Sequence, residues 1–242
     1  MESPDNNKPL LTFLMHEVYA NVNSSRIKLN SIANNGAIQI NESLRVEILE
    51  VLSYIEQIDL LMKYVDFKEN PESIENLLDS EPIYLNMLNS FQKPNQYFMN
   101  LMKGKRLKYK LKADNNIPLF KGYPILRSVV NIMLDNAIKY APNDSDIECL
   151  IESQSNDLVI TLINEGPYVE SYEINNIVRM GVRGRGALSS GKRGHGFGLD
   201  FLREIVQKVH FGKIEVSSKY NVQLNNIKYG TFECKIILPL IE

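Results

Sequence analysis

The sequence predicts an α+β protein in two parts, an N-terminal antiparallel helical hairpin followed by an α/β sandwich. Three observations predict it. Two long heptad seams fall within residues 10–66. From Ile83 onward short helical and strand patterns are mixed, and the last two strands are consecutive. Between the two regions, residues 67–82 are polar and contain two prolines. The expected division is therefore 1–66 for the hairpin, 67–82 for a linker with a short helical piece, and 83–242 for the sandwich.

The first seam is Leu11, Met15, Val18, Val22, Ser25, Leu29 and Ile32, with steps alternating between four and three. That alternation keeps one stripe of a helix facing a neighbour. Ala33-Asn34-Asn35-Gly36 ends it, with Gly36 available for a left-handed turn. The second seam is Leu44, Ile48, Val51, Ile55, Ile58, Met62 and Val65, in a helix from Asn41 or Glu42 to Asp66. A short joining loop makes the pair antiparallel. Two helices cannot enclose a core, so the simplest completion is a second copy of the hairpin, a dimeric four-helix bundle built from residues 10–66. Packing against the rest of the same chain is the alternative. His16 lies one residue past the seam position Met15, followed by Glu17. Such a histidine is commonly a surface residue, but imidazole is also a nucleophile with a pKa near neutrality, and an adjacent carboxylate can accept its proton.

In the second region, Ile83–Met102 reads as helix, interrupted near Lys93-Pro94, and Leu107–Leu111 as a strand. Pro124 opens a helix that continues through Ile138 and stops before Pro142. Ile147–Ser153 and Asp157–Ile163 read as strands, Tyr172–Met180 as a helical piece, and Lys213–Ser218 and Thr231–Pro239 as closing strands. The expected sheet is mostly antiparallel with helices on one face.

The 242 residues carry a net charge of −2 and are 44% hydrophobic, which suits a soluble globular protein and argues against a general nucleic-acid binder. No apolar run approaches a membrane span, and the N-terminus lacks a signal-peptide pattern. Two cysteines, Cys149 and Cys234, fit a reducing compartment, hence a cytoplasmic location, and lack metal-site spacing.

The chemistry-bearing stretch is Arg193-Gly194-His195-Gly196-Phe197-Gly198-Leu199-Asp200, running into the helical pattern Phe201–Val206. Glycines let a backbone approach a ligand, and the following helix start offers unpaired N–H groups, so the stretch suits a phosphate. Upstream, Asn136 and Lys139/Tyr140 lie one turn apart on a helix. A carboxamide oxygen is a hard ligand suited to Mg²⁺, and Lys139 is placed to meet phosphate. An amphipathic core helix ending in polar residues is the plainer reading of the same pattern.

Asn-Ala-Ile-Lys-Tyr, Asn-Glu-Gly-Pro, Gly-His-Gly-Phe-Gly-Leu, Gly-Thr-Phe and Ile-Leu-Pro-Leu, in that order, resemble the boxes of sensor histidine kinases. Their ATP-binding domain is shared with DNA gyrase, and the resemblance runs from Ile83 to the C-terminus. Leu-Met-His-Glu on the first helix resembles the dimerisation and histidine-phosphotransfer hairpin of the same family. The resemblance implies ATP and Mg²⁺ as cofactors, autophosphorylation on His16 with Glu17 as proton acceptor, and transfer to a response-regulator receiver domain. It implies that Asn136 holds Mg²⁺ and that Lys139 and Tyr140 contact phosphate or ribose. Asn164 stands where the family usually has an adenine-reading aspartate, and Gly166 lets the backbone approach the base. Gly194, Gly196 and Gly198 cradle phosphates, with Leu199 in the same box, and Thr231 supports the adenine end. Residues 179–193 stand as a mobile lid, and Arg183 is among five basic residues there with no acidic one.

Four departures bear on activity. Ile132 stands where the family has a polar residue four before Asn136, and Tyr168 replaces a glycine. After His16-Glu17, Ala20 replaces the threonine or asparagine of the phosphatase function, and Asn21 replaces the usual proline, the Glu17 to Asn21 interval resembling the acid-x-x-x-amide spacing of another histidine-kinase subfamily. Two alternatives stay open: a degenerate kinase that binds nucleotide as a scaffold, and a serine kinase acting on a partner protein.

Overall fold

The computed structural model describes residues 18, 22–27, 29, 32, 41–70, 72–192, 194, 196–224 and 227–240. The chain divides into two compact units, residues 1–71 and 72–242. The division falls inside the stretch the sequence assigns to a linker.

In the first unit, Val18, residues 22–27, Leu29 and Ile32 are helical. Helix α1 spans Glu42–Glu69. Asn41 is extended and its side chain accepts from the Leu44 N–H at 2.8 Å, which satisfies one of the open donors of the first turn. The helix runs to Glu69 rather than Asp66, and Pro71 bars its continuation. Its buried stripe includes Ile48, Leu52 and Ile55, with Tyr64 and Phe67 near the end. Leu44, Val51 and Ile58 of the predicted seam are exposed, as are Val18, Ile27 and Ile32 of the first helix. His16, Glu17 and the turn at 33–36 lie outside the described residues.

The second unit opens with α2, Glu72–Leu78. The stretch predicted as one interrupted helix is a strand and two helices: β1 Ile83–Leu85, α3 Met87–Gln92 and α4 Gln96–Gly104. β1 is a strand because it pairs antiparallel with β3, Phe120–Gly122, a long-range partner that local periodicity does not reveal. β2 spans Lys108–Ala113. A 3-10 turn, Pro124–Leu126, leads into α5, Arg127–Tyr140, which stops before Pro142. β4 is Asp146–Gln154 and β5 is Asp157–Pro167. Predicted helix 172–180 is instead a series of turns, with i to i+3 bonds from Asn176 N to Glu173 O and from Arg179 N to Asn176 O. Glu173 is engaged there in accepting from the Glu170 and Arg185 backbone N–H groups. A short α6, Arg185–Ser189, precedes the glycine-rich stretch. Helix α7, Gly198–Glu204, passes into a π turn, Ile205–Val209. β6, Lys213–Leu224, and β7, Ile227–Pro239, close the chain.

The five-stranded sheet has the order β2-β4-β5-β7-β6, with β2 parallel to β4 and the other pairs antiparallel. Register aligns Leu111, Cys149, Leu162, Cys234 and Val216 in one row, and Ala113, Ile151, Ile160, Ile236 and Ile214 in the next. Residues two apart on a strand share a face, so both rows lie on the side that α5 covers. Cys149, Ile151, Ile160, Leu162, Cys234 and Ile236 of these rows are buried, and removing them from water is the main force holding helix to sheet. Among the described residues, no helix is long and apolar enough to cross a membrane.

Candidate nucleotide site

The site lies where α5 crosses β5 and β7 beside the start of α7. A cleft there is lined by Met133, Asn136, Ala137, Leu162, Asn164, Leu199, Phe232 and Cys234. Three predicted residues, Asn136, Asn164 and Leu199, thus meet on one surface. On α5 the spacing 133, 136, 137 is one helical face, and on β7 the spacing 232, 234 is one strand face.

Asn164 is buried, and its Nδ2 donates to the Glu165 carbonyl at 2.7 Å. Its own strand therefore fixes the amide's orientation. Gly166 follows two residues later on the same face. A Cβ there would sit 3.3 Å from Asn164 Nδ2, a tight contact, and 3.6 Å from Tyr140 Cβ, an ordinary one, so a side chain at 166 would press on the Asn164 amide. The Asn136 side chain has a buried Nδ2 with no partner among the described residues. A buried amide donor without a partner is expensive, so a bound ligand or water is expected to answer it.

The other end of the site is cationic. A Cβ on Gly198 would lie 3.5 Å from Asn136 Nδ2 and 3.7 Å from Ile132 Cγ2, which places the start of α7 directly over the α5 residues. Gly194 abuts Lys139 Nζ, with Tyr140 Oη 3.7 Å from the same point. Gly196 takes φ +73°, and its carbonyl accepts from the Gly181 N–H at 3.0 Å. Burial holds the Lys139 ammonium below its usual range and Arg183 adds to that, while Asp135 opposes it. Burial in turn pushes the Asp135 carboxyl up. Two cations held near each other are an electrostatic invitation to an anion.

Arg183 organises the basic segment. Its Nη2 donates to the Ala187 carbonyl at 3.1 Å and the Lys192 carbonyl at 2.6 Å. Arg185 stacks its guanidinium 5.6 Å from the Tyr172 ring centroid. Arg193 and His195 lie outside the described residues.

One predicted residue is placed elsewhere. Thr231 does not line the cleft, and its Oγ1 pairs with the Asn221 side chain at 3.0 Å. Strand alternation is the reason, since Phe232 faces the cleft and Thr231 therefore faces the opposite side of the sheet. Cys234, Leu162 and Met133 fall outside the motif boxes, and Ala137 and Phe232 lie within them without an assigned role. The period-two pattern of the two strands and the i, i+3, i+4 pattern of α5 carry the signal that would have found them.

Among the described residues no three His, Cys, Asp or Glu side chains cluster as a metal site. Asn136 is the hard oxygen ligand at hand, which suits a Mg²⁺ held chiefly by phosphates and water. The whole arrangement offers an apolar slot with a fixed amide at one end. At the other are glycine backbone, lysine and arginine. These are the kinds of group that meet a heteroaromatic base and a polyphosphate.

Comparison with known proteins agrees. Residues 123–240 match the family described as Histidine kinase-, DNA gyrase B-, and HSP90-like ATPase. The chain is 26% identical over 215 residues to the sensor protein KdpD of Clostridium acetobutylicum, covering 87% of this chain and 23% of that protein. It is 30% identical over 117 residues to the adaptive-response sensory kinase SasA of Gloeothece citriformis, covering 46% and 29%. The chain thus spans under a third of the length of these relatives. The crystal structure of histidine kinase ThkA in complex with response regulator protein TrrA superposes with a TM-score of 0.52 at 15% identity, covering 98% of this chain and 64% of that one, a likeness of fold. Residues 123–240 therefore form an ATPase domain of the kind found in sensor histidine kinases.

Proposed function

We propose that the chain is a histidine protein kinase of a two-component system, with His16 as the phosphoacceptor. The observation that carries the reading is the cleft in which Asn136, Asn164 and Leu199 meet, with Lys139 and Gly194 beside it. The base would lie in the apolar slot against Asn164 and Gly166. The phosphates would run along Gly194, Gly196 and Gly198 toward Lys139 and Arg183. Mg²⁺, held by Asn136 and the phosphates, would supply charge neutralisation. His16 nitrogen attacks the γ-phosphorus, an N–P bond forms, and the bond to the bridging oxygen breaks with ADP leaving. The imidazole proton passes to Glu17. Positioning and electrostatics are what a protein contributes to such a transfer.

The phosphoryl group then passes to an aspartate of a response regulator, a partner class that the ThkA–TrrA complex supports. The acceptor hairpin dimerises through residues 10–66, and the exposed Leu44, Val51 and Ile58 supply apolar surface for a second copy. The reading places the kinase region in the cytoplasm.

One observation favours the scaffold alternative. Ile132 is 2% exposed and sits against the start of α7, where it offers the metal no oxygen. The two readings separate on incubation with γ-labelled ATP and Mg²⁺. A kinase yields acid-labile, alkali-stable label that disappears in His16→Gln while ATP affinity persists. Tight ATP binding without label, even with response regulator added, establishes the scaffold.

A further inference from the structure

Helix α5 ends against Pro142, which closes off the usual glycine-based C-terminal turn. Its last carbonyls are satisfied from far away in sequence. Lys105 Nζ donates to the Ile138 carbonyl at 2.6 Å, the Ala141 carbonyl at 2.5 Å and the Lys139 carbonyl at 3.3 Å. The turn carrying Lys105 is itself fixed to the loop after α5. The Asp144 N–H donates to the Lys105 carbonyl at 3.0 Å, and Arg106 grips the Asp144 carboxylate with both Nε and Nη2.

This clamp is not explained by stability alone. Burial, and the Lys192 cation nearby, pull Lys105 down to about 8, so its charge is held at a disadvantage. A methionine would fill the same space without that penalty but would leave the last carbonyls of α5 without this donor. What the ammonium does is fix the one turn of α5 whose side chains reach Gly194, through Lys139 Nζ and Tyr140 Oη. Cations at a helix C-terminus also oppose its negative dipole end.

We propose that Lys105 is a positioning residue for the polyphosphate end of the site, holding the last turn of α5 so that Lys139 and Tyr140 meet the glycine-rich stretch. The proposal rests on the nucleotide reading. It acts through backbone carbonyls and leaves the base slot untouched.

The test compares ATP and adenosine binding by calorimetry in the unmutated chain, Lys105→Met and Lys105→Arg, with melting temperatures alongside. Lys105→Met is expected to weaken ATP about tenfold, the scale of one charge-assisted hydrogen bond. Adenosine affinity should stay as it was, the ligand-free melting temperature should fall only modestly as the carbonyls of the last turn lose this donor, and Lys105→Arg should recover most of the ATP affinity. Unchanged ATP affinity in Lys105→Met overturns the proposal and leaves the nucleotide reading standing. Equal loss of ATP and adenosine, or a loss accompanied by a large fall in melting temperature, assigns Lys105 a purely structural role. An unmutated chain that binds neither ligand overturns the nucleotide reading and the proposal together.

Discussion

Helices α5 and α7 bound the same cleft and reach it by different means. α5 has fourteen residues, and eight of them are buried, so packing fixes the position of the helix that carries Asn136, Lys139 and Tyr140. α7 has seven residues, begins at Gly198, and gives way to a π turn after Glu204. Its approach is set by the glycine-rich backbone before it and by charge: Arg203 pairs with the buried Asp200 and Glu204 and donates to the Val178 carbonyl at 2.9 Å. The contrast teaches that one wall of the site is a piece of the hydrophobic core, whereas the other is a backbone conformation held by polar bonds. The first should answer to volume, the second to glycine and charge.

The largest effect is expected from removing core volume under α5. Leu134 is fully buried, and Leu134→Ala should lower unfolding free energy by about 2–5 kcal/mol in urea titration. A change below about 1 kcal/mol would show that α5 is not the wall described.

Next comes the backbone of the other wall. Gly196 has φ +73°, and a Cβ there would lie 2.8 Å from Gly181 C and Val182 O. Gly196→Ala should destabilise by about 1–3 kcal/mol. It should also weaken ATP more than adenosine, because the phosphate cradle moves and the base slot does not. Retained ATP affinity in a folded variant would sink the cradle assignment.

Smaller still is the charge at the end of α5. Lys139→Met should weaken ATP roughly tenfold with little change in ligand-free stability, because burial already disfavours the ammonium. A marked loss of stability without loss of affinity would make Lys139 structural.

The last prediction tests what ties the two helices together. His210 is buried, with Nδ1 3.0 Å from the Ile205 carbonyl and Nε2 accepting from the Tyr123 N–H at 3.2 Å. These bonds need the neutral ring and join the turn before α5 to the turn after α7. Burial lowers the His210 pKa below 6.5, against the pull of the Ile205 carbonyl. As pH falls, the unfolded chain therefore takes up the proton first. Stability from this group is present above about pH 6.5 and is lost as pH drops below it, by at most about 1.4 kcal/mol per pH unit. His210→Gln should flatten that slope between pH 6.5 and 5. An identical slope in both proteins would remove His210 from the account.

How far the sequence reaches is visible element by element. The helix opened by Pro124 and stopped by Pro142 was legible because proline acts locally on the backbone. β4, β5 and β7 were legible from alternating apolar residues, though each is longer than predicted, since pairing with a neighbour extends a strand beyond its own pattern. β1 was not legible, because a three-residue strand exists only through its partner Phe120–Gly122. In the site, Asn136, Asn164 and Leu199 were found by motif, whereas Phe232 and Cys234 depended on which face of β7 met the cleft.

By itself, then, the sequence determined the α+β character of the second region, the proline-bounded helix of the site and the glycine backbone over it, because these follow from periodicity and from the φ/ψ limits of single residues. Tertiary structure alone decided that Phe232 rather than Thr231 faces the cleft, that 172–180 is a series of turns with Glu173 accepting from the Arg185 N–H, and that Lys105 caps α5 from more than thirty residues away. Each of these depends on register or on a contact between distant segments, which no local pattern encodes.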